Sequence, residues 1–153
     1  MLRILAAFIF FTRLPFWRLA EVPSEYFKNV VSRWALVGWL TAGLSVIVLY
    51  TASLILPASV AVLLAIVTRL LITGCLHEDG LADFFDGFGG GTSRERILSI
   101  MKDSHIGSYG VIGLILYFSL LYTLLSSLSP ALAESAILAG DPFSKGVAGM
   151  IIN

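Results

Sequence analysis

One cysteine among 153 residues leaves nothing for an internal disulfide, so the chain is no disulfide-stapled module and implies no oxidising compartment. Cys75 reads as a small apolar side chain within a helix. Charge is as scarce as sulfur. Only 13% of the residues are Asp, Glu, Lys or Arg, and ten basic side chains balance ten acidic ones. With no surplus of positive charge and no basic face interleaved with aromatics, nucleic acid is excluded as a partner. No repeat or low-complexity tract is evident, and no small-x-small cleavage site follows the apolar N-terminal stretch.

What is abundant is hydrocarbon. Hydrophobic residues make up 58% of the chain and its mean hydropathy is +0.91. Several runs reach the ~20 apolar residues that cross a bilayer core. The expected fold is all-α: a polytopic membrane bundle, residues 1–153 forming one membrane domain with about four membrane segments. Residues 1–14, interrupted by Arg3 and Arg13, predict an interfacial or re-entrant helix ending at Pro15, with Trp17 and Arg18 at headgroup level. Pro23-Ser24-Glu25 predicts a helix start, and Phe27, Val30 and Val31 follow at helical spacing.

Spans are expected over about 34–56, 58–76 and 109–128, with a fourth beginning after Pro130 and broken by Gly140-Asp141-Pro142. Gly38, Ala42 and Ser45 recur every three or four residues, a stripe that brings helices close together. Arg69 lies inside the second span, where it is read either as pairing with a carboxylate or phosphate in the bundle interior, or as snorkelling or forming a structural ion pair. Asp141 and Lys145 are read either as facing the same site or as interface residues.

The scarce acids are concentrated. Residues 77–87, HEDGLADFFDG, hold four of the ten carboxylates, and the second span is expected to run into this stretch without a breaker. On a helix, Asp79, Asp83 and Asp86 point within roughly 60° of one another. Like charges so placed repel unless a cation sits against them. Carboxylate oxygens suit Mg²⁺, which keeps waters and bridges to a substrate phosphate. A solvated helix end is the plainer reading, and the metal reading is preferred in so uncharged a chain. The glycine run Gly87-Phe88-Gly89-Gly90-Gly91 is expected to form a flexible turn that lets backbone approach a ligand. Thr92-x-x-Glu95 predicts a capping box opening a short helix through Lys102, with Ile97, Ile100 and Met101 on its buried side. Arg94, Arg96 and Lys102 are candidates for holding phosphates. His77 or His105 is a candidate proton acceptor, weighed against a structural role for each.

Basic side chains mark the orientation. Eight of the ten lie in residues 1–33 and 77–105, and none lies near Pro57 or Pro130. The positive-inside rule therefore puts the acidic stretch on the cytoplasmic side of the cell (inner) membrane.

The runs LHEDGLADFFDGFGGG and ERILSIMKDSHIGSYGVIGL, with Phe11-Thr12-Arg13-Leu14-Pro15 near the start, resemble the cobalamin synthase family of adenosylcobinamide-GDP ribazoletransferases. That resemblance implies a Mg²⁺-dependent transferase that joins α-ribazole, or its 5′-phosphate, to adenosylcobinamide-GDP and releases GMP. Carried over by position, it implies Glu78, Asp79, Asp83 and Asp86 as metal ligands. It places Lys102 and Asp103 in the same cleft, and with His77 as a candidate proton acceptor, Asp83, Asp86, His77, Lys102 and Asp103 are the expected catalytic residues. Gly87, Gly89, Gly90, Arg94, Arg96 and Lys102 then contact substrate. It further implies membrane lipid and the two small substrates as partners, with a homo-oligomer or biosynthetic complex as the expected association, and additional spans beyond residue 153. Two other classes compete. A CDP-alcohol phosphotransferase also carries Asp-x-x-Asp-Gly, but residues 87–103 lack that family's following pattern. A cation transporter would use the carboxylates as an ion site near the bilayer midplane.

Overall fold

The computed structural model describes residues 1–152. Among these residues seven α-helices follow one another: α1 Leu2–Phe11, α2 Trp34–Ser53, α3 Ala58–Thr73, α4 Leu76–Gly90, α5 Arg94–Met101, α6 Ser108–Ser127 and α7 Pro130–Ile152. Two 3₁₀ segments, Phe16–Arg18 and Ser24–Arg33, fill the link between α1 and α2, and the described residues include no strand. The chain divides into two compact units, Met1–Gly74 together with the chain from Leu125 onward, and Cys75–Leu124.

The first unit is organised around α2. Val37, Gly38, Thr41, Ala42, Ser45 and Leu49 lie buried on it, so the small-residue stripe is a packing face as expected. α3 and α7 both pack on this helix. At Gly38 the approach is so close that a Cβ would sit 2.5 Å from the Pro142 Cα. That contact accounts for a difference from expectation. Gly140-Asp141-Pro142 does not break α7, which continues through Pro142. Proline removes one helical hydrogen bond, and packing against a neighbouring helix offsets the loss.

α1 is short and is held by aromatic packing. Ala6, Ala7, Phe11, Val30 and Val37 form one buried cluster. Phe11 stacks on Trp34 with centroids 5.0 Å apart and planes 10° from parallel, a contact worth about 0.5–1.5 kcal/mol beyond area burial.

The end of α3 also departs from expectation. Gly74 and Cys75 both adopt left-handed backbone (φ 64° and 60°), so the helix stops before the acidic stretch. Glycine after a helix is an ordinary stop signal. Cys75 is the unusual member, since a side chain there is sterically disfavoured. Gly74 has a second reason to be glycine, because a Cβ would lie 2.7 Å from the Arg13 Cγ, where the Arg13 amide donates to the Ile72 carbonyl at 2.7 Å.

Among the described residues, two helical stretches are long and apolar enough to cross a membrane, Ser24–Ser53 and Ser108–Ser127. The count reaches three if α3 and α4 together make one broken span. α7, which carries Glu134, Asp141 and Lys145, is not among them.

Candidate active site

The acidic stretch folds as α4, inside the second unit. Its first turn carries Glu78 and Asp79, where carboxylates complement the helix dipole. One face, Glu78, Ala82 and Asp86, is buried, while beside it Asp79 is exposed and Asp83 half-buried. The carboxylates that share one helical face in projection therefore divide, with Asp86 inside and Asp79 and Asp83 at the accessible edge.

Asp86 has a definite task. One of its oxygens accepts from the Gly107 amide at 2.7 Å and the other from the Gly110 amide at 2.8 Å. Gly107 immediately precedes α6 and Gly110 lies in its first turn, where N–H groups have no acceptor within the helix. A carboxylate 21 and 24 residues upstream of the two donors thus caps α6, favoured by charge and dipole together. There is no room for more than hydrogen at either glycine: a Cβ on Gly107 would lie 3.0 Å from the Asp86 Cγ, and one on Gly110 3.1 Å from the same atom.

The glycine run after Asp86 corrects the expected flexible turn. Gly87, Gly89 and Gly90 are helical, and α4 ends only at Gly91. Close packing explains them. A Cβ on Gly87 would meet Met101 at 2.7 Å, and one on Gly89 would meet the Tyr109 ring at 2.5 Å. The expected capping box does not form as such, because the cap moves one residue on and Arg96, not Glu95, takes the third helical position. Ser93, not Thr92, caps α5, its hydroxyl accepting from the Arg96 amide at 3.2 Å. Ile97, Ile100 and Met101 are half-buried on the inner side of α5, as their spacing suggests.

After α5 the chain passes through a short loop whose one prominent feature is a side-chain pair. His105 Nδ1 lies 2.6 Å from Asp103 Oδ1, and the His105 amide donates to the same oxygen at 3.1 Å. The hydrogen bonds from His105 hold the Asp103 carboxyl below its ordinary range. Reciprocally, the bond to Asp103 raises the imidazole above its ordinary value.

A cleft of about 370 Å³ opens between these elements, with Asp86, Gly90, Arg96, Asp103, His105 and Tyr109 among its walls. Five residues singled out from the sequence as site candidates, Asp86, Gly90, Arg96, Asp103 and His105, meet there. His77, Glu78, Asp79, Asp83, Gly87, Gly89, Arg94 and Lys102 do not line it. Ser99, Ser108 and Tyr109 do, and sequence reasoning missed them although Ser108 and Tyr109 stand inside the GSYG run.

A second polar cluster lies in the first unit. Asp141 accepts from the Thr41 hydroxyl and from the Lys145 ammonium, and the Arg69 guanidinium approaches it at 3.9 Å. Arg69 therefore pairs with a carboxylate, which both of its sequence readings allow, and Asp141 and Lys145 answer one another across one helical turn.

Among the described residues, no three His, Cys, Asp or Glu side chains converge tightly enough to form an all-protein metal cage. Asp79 and Asp83, one turn apart at the accessible edge of α4, instead suit an ion that keeps waters and takes one or two carboxylates.

These features define a class: an all-helical, polytopic membrane bundle with a carboxylate helix beside a polar cleft. Within that class the chain belongs to the cobalamin-5-phosphate synthase family, whose model matches residues 3–153. It is 46% identical over 149 residues to the adenosylcobinamide-GDP ribazoletransferase of Shewanella frigidimarina, covering 95% of this chain and 57% of that protein. A protein of the same name from Shewanella putrefaciens is also 46% identical, over 151 residues that cover 97% of this chain and 58% of the relative. The chain thus spans less than two thirds of the length of these curated relatives. No solved structure matches it.

Proposed function

We propose that this protein transfers the adenosylcobinamide phosphate group from adenosylcobinamide-GDP to α-ribazole or its 5′-phosphate, releasing GMP. The observation that carries the reading is a helix with two accessible carboxylates, Asp79 and Asp83, in the same compact unit as a polar cleft holding Arg96, Asp103 and His105. Membership of the family and the names of the relatives supply the substrates. A cation transporter is the weaker reading, because the cleft that Asp86 and Asp103 line also carries a cation, Arg96, which suits phosphate.

Mg²⁺ is the ion this donor set suits, and when bound it would neutralise charge on the pyrophosphate. Asp79 and Asp83 are the residues that would hold it, with Glu78 behind them; Asp86 already gives each oxygen to a backbone amide. Arg96 offers the nucleotide phosphates a forked, charge-assisted contact from the cleft wall. Asp86 keeps the start of α6, and with it Ser108 and Tyr109, fixed against the cleft. An acceptor that carries a 5′-phosphate and keeps it in the product attacks through another ribose hydroxyl.

The product links ribazole to the corrinoid through one phosphate, so attack falls on the phosphorus next to cobinamide and the nucleotide departs as GMP. Chromatography of membranes incubated with both substrates should show GMP rising in step with the cobalamin product, and chelation of Mg²⁺ should stop it. Release of GDP in place of GMP would mean that the bond between cobinamide and phosphate breaks, and the scheme would be wrong.

The cleft is proposed to face the cytoplasm, on the strength of the basic residues in 1–33 and 77–105. Thr92 is the better position for a reporter cysteine, since Ser93 caps α5. With Cys75 replaced, Thr92→Cys should resist an impermeant thiol reagent in intact cells while Ala58→Cys reacts. The reverse pattern inverts the topology.

A further inference from the structure

We propose that His105, oriented by Asp103, is the proton acceptor for the attacking ribose hydroxyl. The inference rests on the transfer reaction proposed above and adds a catalytic residue to it. Three observations support it. His105 and Asp103 both line the cleft that Arg96, Ser99 and Tyr109 also form. Oδ1 of Asp103 accepts from both the ring and the amide of His105, so the backbone bond fixes the carboxylate that in turn holds the imidazole through Nδ1. The loop itself is held, because two residues after His105 the Gly107 amide is fixed by the buried Asp86 carboxylate.

The tautomer follows from the bond. A carboxylate only accepts, so Nδ1 carries the hydrogen and Nε2 presents its lone pair. A carboxylate behind an imidazole fixes ring orientation and stabilises the imidazolium that forms on proton uptake. The ring side chain is 88% exposed and that of Asp103 57%, so a substrate reaches Nε2 without displacing any protein group. The step balances as follows. The hydroxyl proton passes to Nε2, and the oxygen bonds to the phosphorus next to cobinamide. The bond from that phosphorus to the bridging oxygen breaks, and GMP leaves with the bonding pair.

Groups facing the pair come from each neighbouring element: Asp86 from α4, Arg96 from α5 and Tyr109 from α6. Asp103 raises the proton affinity of the ring. The acceptor must be neutral, so activity should grow as pH rises through an imidazole value above the ordinary ~6.5. Removing the Asp103 charge should then move this acidic limb to lower pH and also lower the plateau, because the ring loses its orientation.

The test measures GMP release by the full-length protein in membranes, across pH, for wild type, His105→Gln and Asp103→Asn. The expected result is a fall of about 10²–10⁴-fold for His105→Gln, with the acidic limb displaced downward in Asp103→Asn. Should His105→Gln fail to reach the membrane, the displacement in Asp103→Asn decides the matter. Release by His105→Gln close to that of wild type overturns the assignment, as does an acidic limb that stays in place in Asp103→Asn. A wild type that releases no nucleotide sinks the reaction and this role together. An active wild type beside an equally active His105→Gln sinks the role alone.

Discussion

Asp83→Ala should abolish turnover while leaving the helix that carries Asp83 as stable as before, or slightly more so. Asp83 is half-buried and stands one turn from Asp79, with Asp86 following. Like charges at this spacing destabilise a helix by about 0.2–0.5 kcal/mol, so deleting the middle one relieves repulsion. No cavity of consequence is left at a half-buried position, and the stability change should remain within about 0.5 kcal/mol. Activity should move the other way. Losing a group that offsets charge in the transition state costs about 10²–10³-fold, and losing one of two carboxylate ligands costs at least that much. The two measurements are GMP release and the thermal midpoint of the solubilised protein. Near-normal release by Asp83→Ala would end the metal-site assignment. Asp86 makes the contrast, since its removal uncaps α6 and should cost both structure and turnover.

Asp141→Ala should damage the first unit more than any other single truncation of a charged residue. The Asp141 side chain is 8% exposed and that of Lys145 4%, with Arg69 close by. Deleting the carboxylate leaves two cations next to one another, without the acid they share, at a place where water is largely excluded. Breaking a buried pair from one side typically costs about 3–5 kcal/mol. The Thr41 hydroxyl loses an acceptor as well, and with it α2 loses its polar tie to α7. Asp141→Asn keeps an acceptor but drops the charge, so it should fall between wild type and Asp141→Ala. A series of thermal midpoints in detergent orders the three. Equal midpoints would show that the cluster contributes nothing to holding α7 in place.

The sequence made the helices legible where periodicity and composition agree. Two expected spans appear as α2 and α6, the Gly38-Ala42-Ser45 stripe is buried, and the acids fall on a helix as their spacing requires. Pattern failed wherever a residue answers to a partner far along the chain. Glycine has one letter for two uses, flexible turn and close contact. Nothing local says that Gly89 lies under Tyr109, or that Gly107 and Gly110 lie on Asp86. Asp86 resembles its neighbours in sequence, and only the contacts at separations of 21 and 24 residues distinguish it. The break before α4 was signalled by Gly74 but obscured by Cys75, a residue that seldom takes left-handed backbone. The pairing of Asp103 with His105, by contrast, spans only two residues, and the sequence placed both within reach of the site.

The first unit is discontinuous, closed by a helix that comes after the whole of Cys75–Leu124. This has a consequence for biogenesis. α3 follows α2 directly and can dock on it early, but the Thr41 hydroxyl and its Asp141 acceptor are separated by 100 residues. At ribosomal speeds of about 5–20 residues per second, the gap between their synthesis lasts roughly 5–20 s. Throughout that interval the nascent α2 exposes Gly38 and Thr41 with no α7 to cover them. The small-residue notch of α2 therefore stays open until the ribosome delivers the closing helix, while the Thr41 hydroxyl can donate to the Val37 or Gly38 carbonyl of its own helix.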